Sequence, residues 1–153
     1  MTSTETTSAL FTDFYELTMA QGYWKQKMDE PAVFDMFFRR NPFKGGFAVF
    51  AGLKTLIDAL TDFTFSESDI EYLKSVGIFE QGFLDYLKDF KFTGTLYAQE
   101  EGSIVFPNEP LIRIHANLIE AQIIEGLVLN HINFQTLIAT KSSRIVNAAK
   151  GRP

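Results

Sequence analysis

Between Ala116 and Ala139 only Glu120 and Glu125 are charged, and this stretch constrains the fold more than any other. So uncharged a run needs cover from protein or from lipid. It also holds Asn117, Gln122, Asn130, His131, Asn133 and Gln135, too many polar groups for a lipid-facing span. Ile123/Ile124, Leu127/Val128 and Ile132 recur at helical spacing and line one face. Asn117 is placed to cap that helix. A second helix, or a continuation, covers Phe134 to Ala149, and Gly151-Arg152-Pro153 stops it. A chain of 153 residues can bury roughly two-thirds of its unfolded surface, enough for a real core.

Hydrophobic residues make up 46 % and charged residues 22 %, which excludes a disordered chain. The net charge of −5 and pI near 5.0 give no support to nucleic-acid binding, which needs a basic stripe. With no cysteine, disulfide scaffolds, thiolate metal sites and thiol nucleophiles are excluded. Met1 to Ser8 carries no basic residue and no apolar run follows it, so no secretory signal is visible. A soluble, cytoplasmic protein is expected. Fourteen of the sixteen phenylalanines precede residue 100 and nine of the twelve isoleucines follow it. That asymmetry predicts two packing regimes.

Residues 1–9 read as a loose tail. Thr12 reads as the N-cap of a helix running to about Trp24, with Asp13 and Glu16 in a first turn where the helix dipole favours acids. Phe11, Tyr15 and Met19 share one face of it. A strand is predicted over Ala32–Arg39, an irregular loop over 40–46 and a short strand over 47–50. A helix fits Leu53–Leu60. Ser66 and Asp69 make a capping-box-like start for a helix ending near Val76, with Gly77 as its stop. A short helix covers Gly82–Lys88. Strands are predicted over 92–99, 103–106 and 111–115, with turns at Glu101-Gly102 and 107–110.

Several features suggest chemistry, each beside a plainer reading. Gly52-Leu53-Lys54-Thr55 is not a phosphate-binding P-loop, because Leu53 separates the glycine from the lysine. Arg39, Arg40 and Lys44 flank Gly45-Gly46. Guanidinium groups and close backbone approach suit an anionic small molecule, and the alternative is a solvated basic strand end. The Tyr15 ring can stack on a flat heteroaromatic ligand or serve as a core aromatic. Asp13 beside it is a first-turn acid. His115 and His131 match no zinc spacing and read as structural. Glu100-Glu101 reads as a solvated turn. The run from Glu101-Gly102 to Pro110-Leu111 has the look of a barrel-sandwich carrier, but no lysine lies between Phe92 and Lys141 to be modified.

Four motifs together resemble one family, the nicotinate phosphoribosyltransferases. They are Leu10-Phe11-Thr12-Asp13-Phe14-Tyr15-Glu16-Leu17-Thr18-Met19-Ala20-Gln21-Gly22-Tyr23-Trp24; Phe37-Phe38-Arg39-Arg40-Asn41-Pro42-Phe43 with its Gly-Gly-Phe-Ala continuation; Glu101-Gly102-Ser103 with Phe106-Pro107-Asn108-Glu109-Pro110-Leu111; and Asn133-Phe134-Gln135-Thr136-Leu137-Ile138-Ala139-Thr140-Lys141 leading to Gly151-Arg152-Pro153. They occur in the family's order over almost the whole chain.

The resemblance implies an α+β fold. Residues 10–115 would form the α/β-hammerhead-like N-terminal domain of type II phosphoribosyltransferases. Residues 116–153 would be the helical approach to a (β/α) barrel that is incomplete here. It implies ATP-assisted joining of nicotinate to phosphoribosyl pyrophosphate, giving nicotinate mononucleotide, with Mg²⁺ in the intact enzyme and a homodimer sharing its active sites. Tyr15 matches the tyrosine that stacks on the pyridine ring across the dimer interface, and Asp13 sits in the same motif. Arg39 or Arg40 matches a basic position near the phosphates. The phosphorylated catalytic histidine would lie beyond Pro153, so no catalytic or metal residue is assigned to this chain, and the chain alone is expected to be an inactive N-terminal portion. The competing readings are a non-catalytic carrier or interaction module, and a relative acting on nicotinamide or quinolinate.

Overall fold

The opening helix, α1 (Phe14–Gln26), buries Glu16, Leu17 and Ala20, whereas Phe11, Tyr15 and Met19 are exposed. An amphipathic helix ordinarily buries such aromatics and exposes its acids. This observation comes from a computed structural model that describes residues 8–152. The N-cap is Asp13, not Thr12. Glu16 causes the shift: the Asp13 N–H points to its Oε2 at 3.4 Å, and the Thr12 hydroxyl donates to the same oxygen. Of the tail read at 1–9, residues 1–7 lie outside the described residues, and Ala9 is buried in the core.

Strand β1 (Pro31–Met36) follows, then a 3-10 turn at Pro42–Lys44, strand β2 (Ala48–Val49) and helices α2 (Leu53–Thr61), α3 (Glu67–Val76) and α4 (Gln81–Lys88). Strands β3 (Thr95–Ala98), β4 (Ile104–Val105) and β5 (Ile112–Asn117) lead into α5 (Leu118–Ile123) and α6 (Glu125–Ala149). An antiparallel sheet has the order β1-β5-β3, and β2 pairs with β4 in a second small sheet. The register Met36↔Ile112 and Phe34↔Ile114 turns one face of the larger sheet inward. Val33, Asp35, Arg113 and His115 occupy its other face, as strand alternation requires.

The two packing regimes are real. Phe63, Phe65 and Phe90 meet edge-on with centroids 5.6–6.0 Å apart. Phe79 joins this aromatic zone to α1 through Phe14, 6.0 Å away. The isoleucine zone is Ile112, Ile114, Ile119, Ile123, Ile124 and Ile132, all buried. Both zones belong to one continuous core, so 10–115 and 116–152 share an interior.

Helix α6 clamps the smaller sheet with threonines one turn apart. Thr140 Oγ1 accepts from the Val49 N–H at 2.8 Å, and Thr136 Oγ1 from the Ala51 N–H at 3.1 Å. Both threonines are buried. Gly52, at φ +108°, turns the chain into α2 so close to α6 that a Cβ there would stand 2.9 Å from the His131 carbonyl oxygen. The Ser66–Asp69 capping box and the Gly77 stop form as the sequence predicts.

The long helical segment breaks at Ile124 rather than before Phe134. Just past the break, a Cβ on Gly126 would lie 2.7 Å from Glu16 Oε2. Glycine therefore lets the buried carboxylate of α1 reach the head of α6. Gly126→Ala is expected to destabilise the fold by about 1–3 kcal/mol, the usual cost of overpacking a filled interior. Denaturant unfolding measures it, and an unchanged midpoint would mean that the two helices do not need this contact.

Candidate functional site

Three acids and a tyrosine gather where α1 meets the head of α6. The Tyr15 ring is 45 % exposed, and its hydroxyl donates to Glu125 Oε1 at 2.9 Å. Gln122 Nε2 donates to the other Glu125 oxygen at 2.7 Å. The ring face is thus open while the hydroxyl end is held. Lost hydration of the hydroxyl, then the hydrogen bond to Glu125 and its charge, push the phenol up to about 12. Tyr15 therefore stays a neutral donor throughout the physiological range. Asp13, the exposed N-cap two residues before it, adds a small push in the same direction.

Glu16 has no exposed surface. Burial raises its pKa, while the Thr12 hydroxyl and the Gly126 backbone act in the opposite sense. Its Oε1 nevertheless has no hydrogen-bond partner of good geometry among the described residues. A buried carboxylate oxygen of this kind is costly.

Arg39 and Arg40 lie on the irregular segment after β1, both exposed, and among the described residues neither has a carboxylate within ion-pair distance. Arg40 lines a cavity of about 400 Å³ with Phe38, Pro42, Asn133, Phe134 and Leu137. Helix α6 separates the two groups. From Glu125 to Asn133 and Leu137 is about 12–18 Å along its axis at 1.5 Å per residue. Tyr15 and Asp13 thus sit together at one end of a ruler, with Arg40 two turns or more along it.

The loop carrying these arginines is strained. Phe43 and Lys44 both have positive φ, 57° and 53°. The Arg144 guanidinium lies 5.4 Å from the Phe43 ring centroid and 5.9 Å from that of Phe47. It sits so tightly over Gly45 that a Cβ there would be 1.6 Å from Arg144 Nη2. Arg144 is a residue that sequence reasoning missed, because nothing in the local pattern shows that residue 144 lies over residues 43–47.

Glu101 lies in an exposed turn, as the sequence predicts, and has a role the sequence does not show. Its Oε1 accepts from the Gly52 and Leu53 N–H groups at 2.6 and 2.8 Å. The N-terminus of α2 is an anion site filled by the chain's own carboxylate. Glu120, the other acid of the apolar stretch, is buried and accepts from the Thr93 N–H and hydroxyl at 2.7 and 2.9 Å. It ties a loop and faces no cavity. His115 stands on the outward sheet face, edge-on to Tyr97 at 5.4 Å, and His131 Nδ1 donates to the Leu127 carbonyl at 2.8 Å. Among the described residues no group of three or more acids or imidazoles could hold a metal ion. Nor is any helix among them long and apolar enough to cross a membrane.

The Arg144 clasp makes a prediction. Gly45→Ala evicts the guanidinium, so Gly45→Ala and Arg144→Ala should each cost up to about 1 kcal/mol. The double variant should cost no more than either. A double-mutant cycle by thermal or denaturant unfolding reads this, and additive costs would dismiss the clasp.

Comparison with known proteins bears on the fold and the family. A family model described as the nicotinate phosphoribosyltransferase (NAPRTase) N-terminal domain matches residues 10–133. Nicotinate phosphoribosyltransferase pncB2 of Mycobacterium tuberculosis is 46 % identical over 145 residues, covering 95 % of this chain and 31 % of that protein. The Bacillus subtilis nicotinate phosphoribosyltransferase is 49 % identical over 138 residues, covering 90 % and 28 %. The chain thus spans about three-tenths of the length of these curated relatives. The crystal structure of human nicotinic acid phosphoribosyltransferase superposes with a TM-score of 0.84 at 34 % identity, over 93 % of this chain and 29 % of that one. A nicotinate-nucleotide pyrophosphorylase from Pyrococcus furiosus shares the fold, with a TM-score of 0.73 at 20 % identity, over 100 % of this chain and 32 % of that one. With two small antiparallel sheets, no closed barrel among the described residues and a matching N-terminal family model, the chain belongs to the nicotinate phosphoribosyltransferase family and corresponds to its N-terminal domain.

Proposed function

We propose that this chain supplies the N-terminal part of an enzyme that joins nicotinate to phosphoribosyl pyrophosphate with the help of ATP. The pyridine nitrogen displaces pyrophosphate from the anomeric carbon. The carbon–oxygen bond to pyrophosphate breaks, the carbon–nitrogen bond forms, and nicotinate mononucleotide and pyrophosphate leave. Such a reaction needs the flat ring held against the sugar, where proximity lowers the barrier, and cations near the departing pyrophosphate.

The observation that carries the reading is the exposed surface of Tyr15 and Met19 on α1, with Phe11 exposed just before its cap. A helix that buries a carboxylate and shows an open tyrosine face to solvent offers that face to something else. In this proposal Tyr15 stacks on the pyridine ring, with Asp13 at the edge of the same pocket. The same surface meets a second copy of the enzyme, so that each active site is shared within a homodimer. Arg39 and Arg40, exposed and free of carboxylate partners among the described residues, suit the phosphates. ATP and Mg²⁺ act in the intact enzyme through residues outside this chain, as does the phosphorylated histidine. The setting is cytoplasmic NAD salvage.

Tyr15→Ala in the full-length enzyme should raise the nicotinate KM by more than tenfold, which corresponds to about 1.4 kcal/mol of lost binding. An unchanged KM would remove Tyr15 from the site.

A further inference from the structure

We propose that Glu125 is a positioning residue that fixes the stacking face of Tyr15, a role resting on the reading of Tyr15 as the nicotinate platform. The geometry is a chain of three side chains leading from the interior to the surface. Gln122 is 3 % exposed and cannot wander. Its Nε2 holds Glu125 Oε2 at 2.7 Å, and Glu125 Oε1 holds the Tyr15 hydroxyl at 2.9 Å.

Without that hold, an exposed tyrosine at the start of a helix samples several rotamers. Binding a ligand against its face would then require ordering it first. The break at Ile124 belongs to the same device. It ends α5 just after Gln122 and makes Glu125 the first residue of α6, so both side chains reach toward α1. Glu125 has no cationic partner within ion-pair distance among the described residues, so the Tyr15 hydroxyl and the Gln122 amide are the groups it serves. The other charges acting on Tyr15 are the acids Glu16 and Asp13, neither of which is hydrogen-bonded to its hydroxyl. The plainer role for Glu125, an acid in the first turn of α6 that favours the helix dipole, would need the charge but not the tyrosine.

Variants separate these roles by steady-state kinetics in the full-length enzyme. Tyr15→Phe keeps the ring and loses the hydroxyl; Glu125→Ala loses the acceptor; Glu125→Gln keeps a neutral acceptor. Tyr15→Phe and Glu125→Ala should each raise the nicotinate KM roughly three- to tenfold, the range expected for ordering one side chain. The kcat and the KM for phosphoribosyl pyrophosphate should stay within about twofold. Glu125→Gln should restore the nicotinate KM to within about twofold. The Tyr15→Phe/Glu125→Ala double variant should be no worse than either single. The proposal is overturned if Glu125→Ala leaves the nicotinate KM unchanged while Tyr15→Ala raises it. It is equally overturned if Glu125→Gln is as damaging as Glu125→Ala, or if both substrates' KM values rise together. If Tyr15→Ala itself has no effect, the stacking reading falls first and this one with it. Should Glu125→Ala not fold, Tyr15→Phe and Glu125→Gln still decide, since both leave the packed volume almost intact.

Discussion

A carboxylate with no exposed surface joins the first helix to the last. Glu16 reaches from α1 to the head of α6, where only a glycine at 126 leaves room for it. Everything proposed for Tyr15 depends on this seat, because the next-door residue inherits the rotation of α1 that Glu16 sets. Burial raises the folded-state pKa of Glu16 above its ordinary value. By linkage, its contribution to stability is fully present below the unfolded pKa and is lost as pH rises through the folded one. As pH rises through that raised value, Glu16 therefore costs the fold stability.

Helix α6 is the other organiser. Its first turn holds Tyr15 through Glu125, its middle clamps β2 through Thr136 and Thr140, and Arg144 near its end grips the strained loop at 43–47. The two groups proposed to meet the substrates are therefore referenced to one rigid element. Tyr15 is held at the head of α6 through Glu125, and Arg40 lines a cavity with Asn133, Phe134 and Leu137 farther along it. Glu101 and Glu120 show the contrast: Glu101 accepts from the Gly52 and Leu53 N–H groups and Glu120 from Thr93, whereas Glu125 meets the Tyr15 hydroxyl.

Much of the fold was legible because its signals are local. The Ser66–Asp69 box, the Gly77 stop and the Asn117 cap each depend on residues within one turn, and each formed. The phenylalanine and isoleucine asymmetry translated into two zones of one core. What was not legible depends on tertiary neighbours. Thr12 looked like the cap, but Glu16 draws the helix start to Asp13. Glu101 sits in an exposed turn as read, but its bonds to the N-terminus of α2, about fifty positions away in sequence, have no local signal. The Phe11/Tyr15/Met19 face reads equally as core or as surface from spacing alone, and only the burial of Glu16 on the opposite side decides it. Glu125 had one visible signal, as one of two acids in an otherwise uncharged run, but its partner lies more than a hundred residues earlier.

The most direct test is a crystal structure of the full-length enzyme with nicotinate bound. The account predicts the Tyr15 ring lying flat over the pyridine, with its hydroxyl still on Glu125 and Glu16 still sealed beneath. A pyridine bound elsewhere, with the Tyr15 face covered by protein of its own subunit, would contradict it.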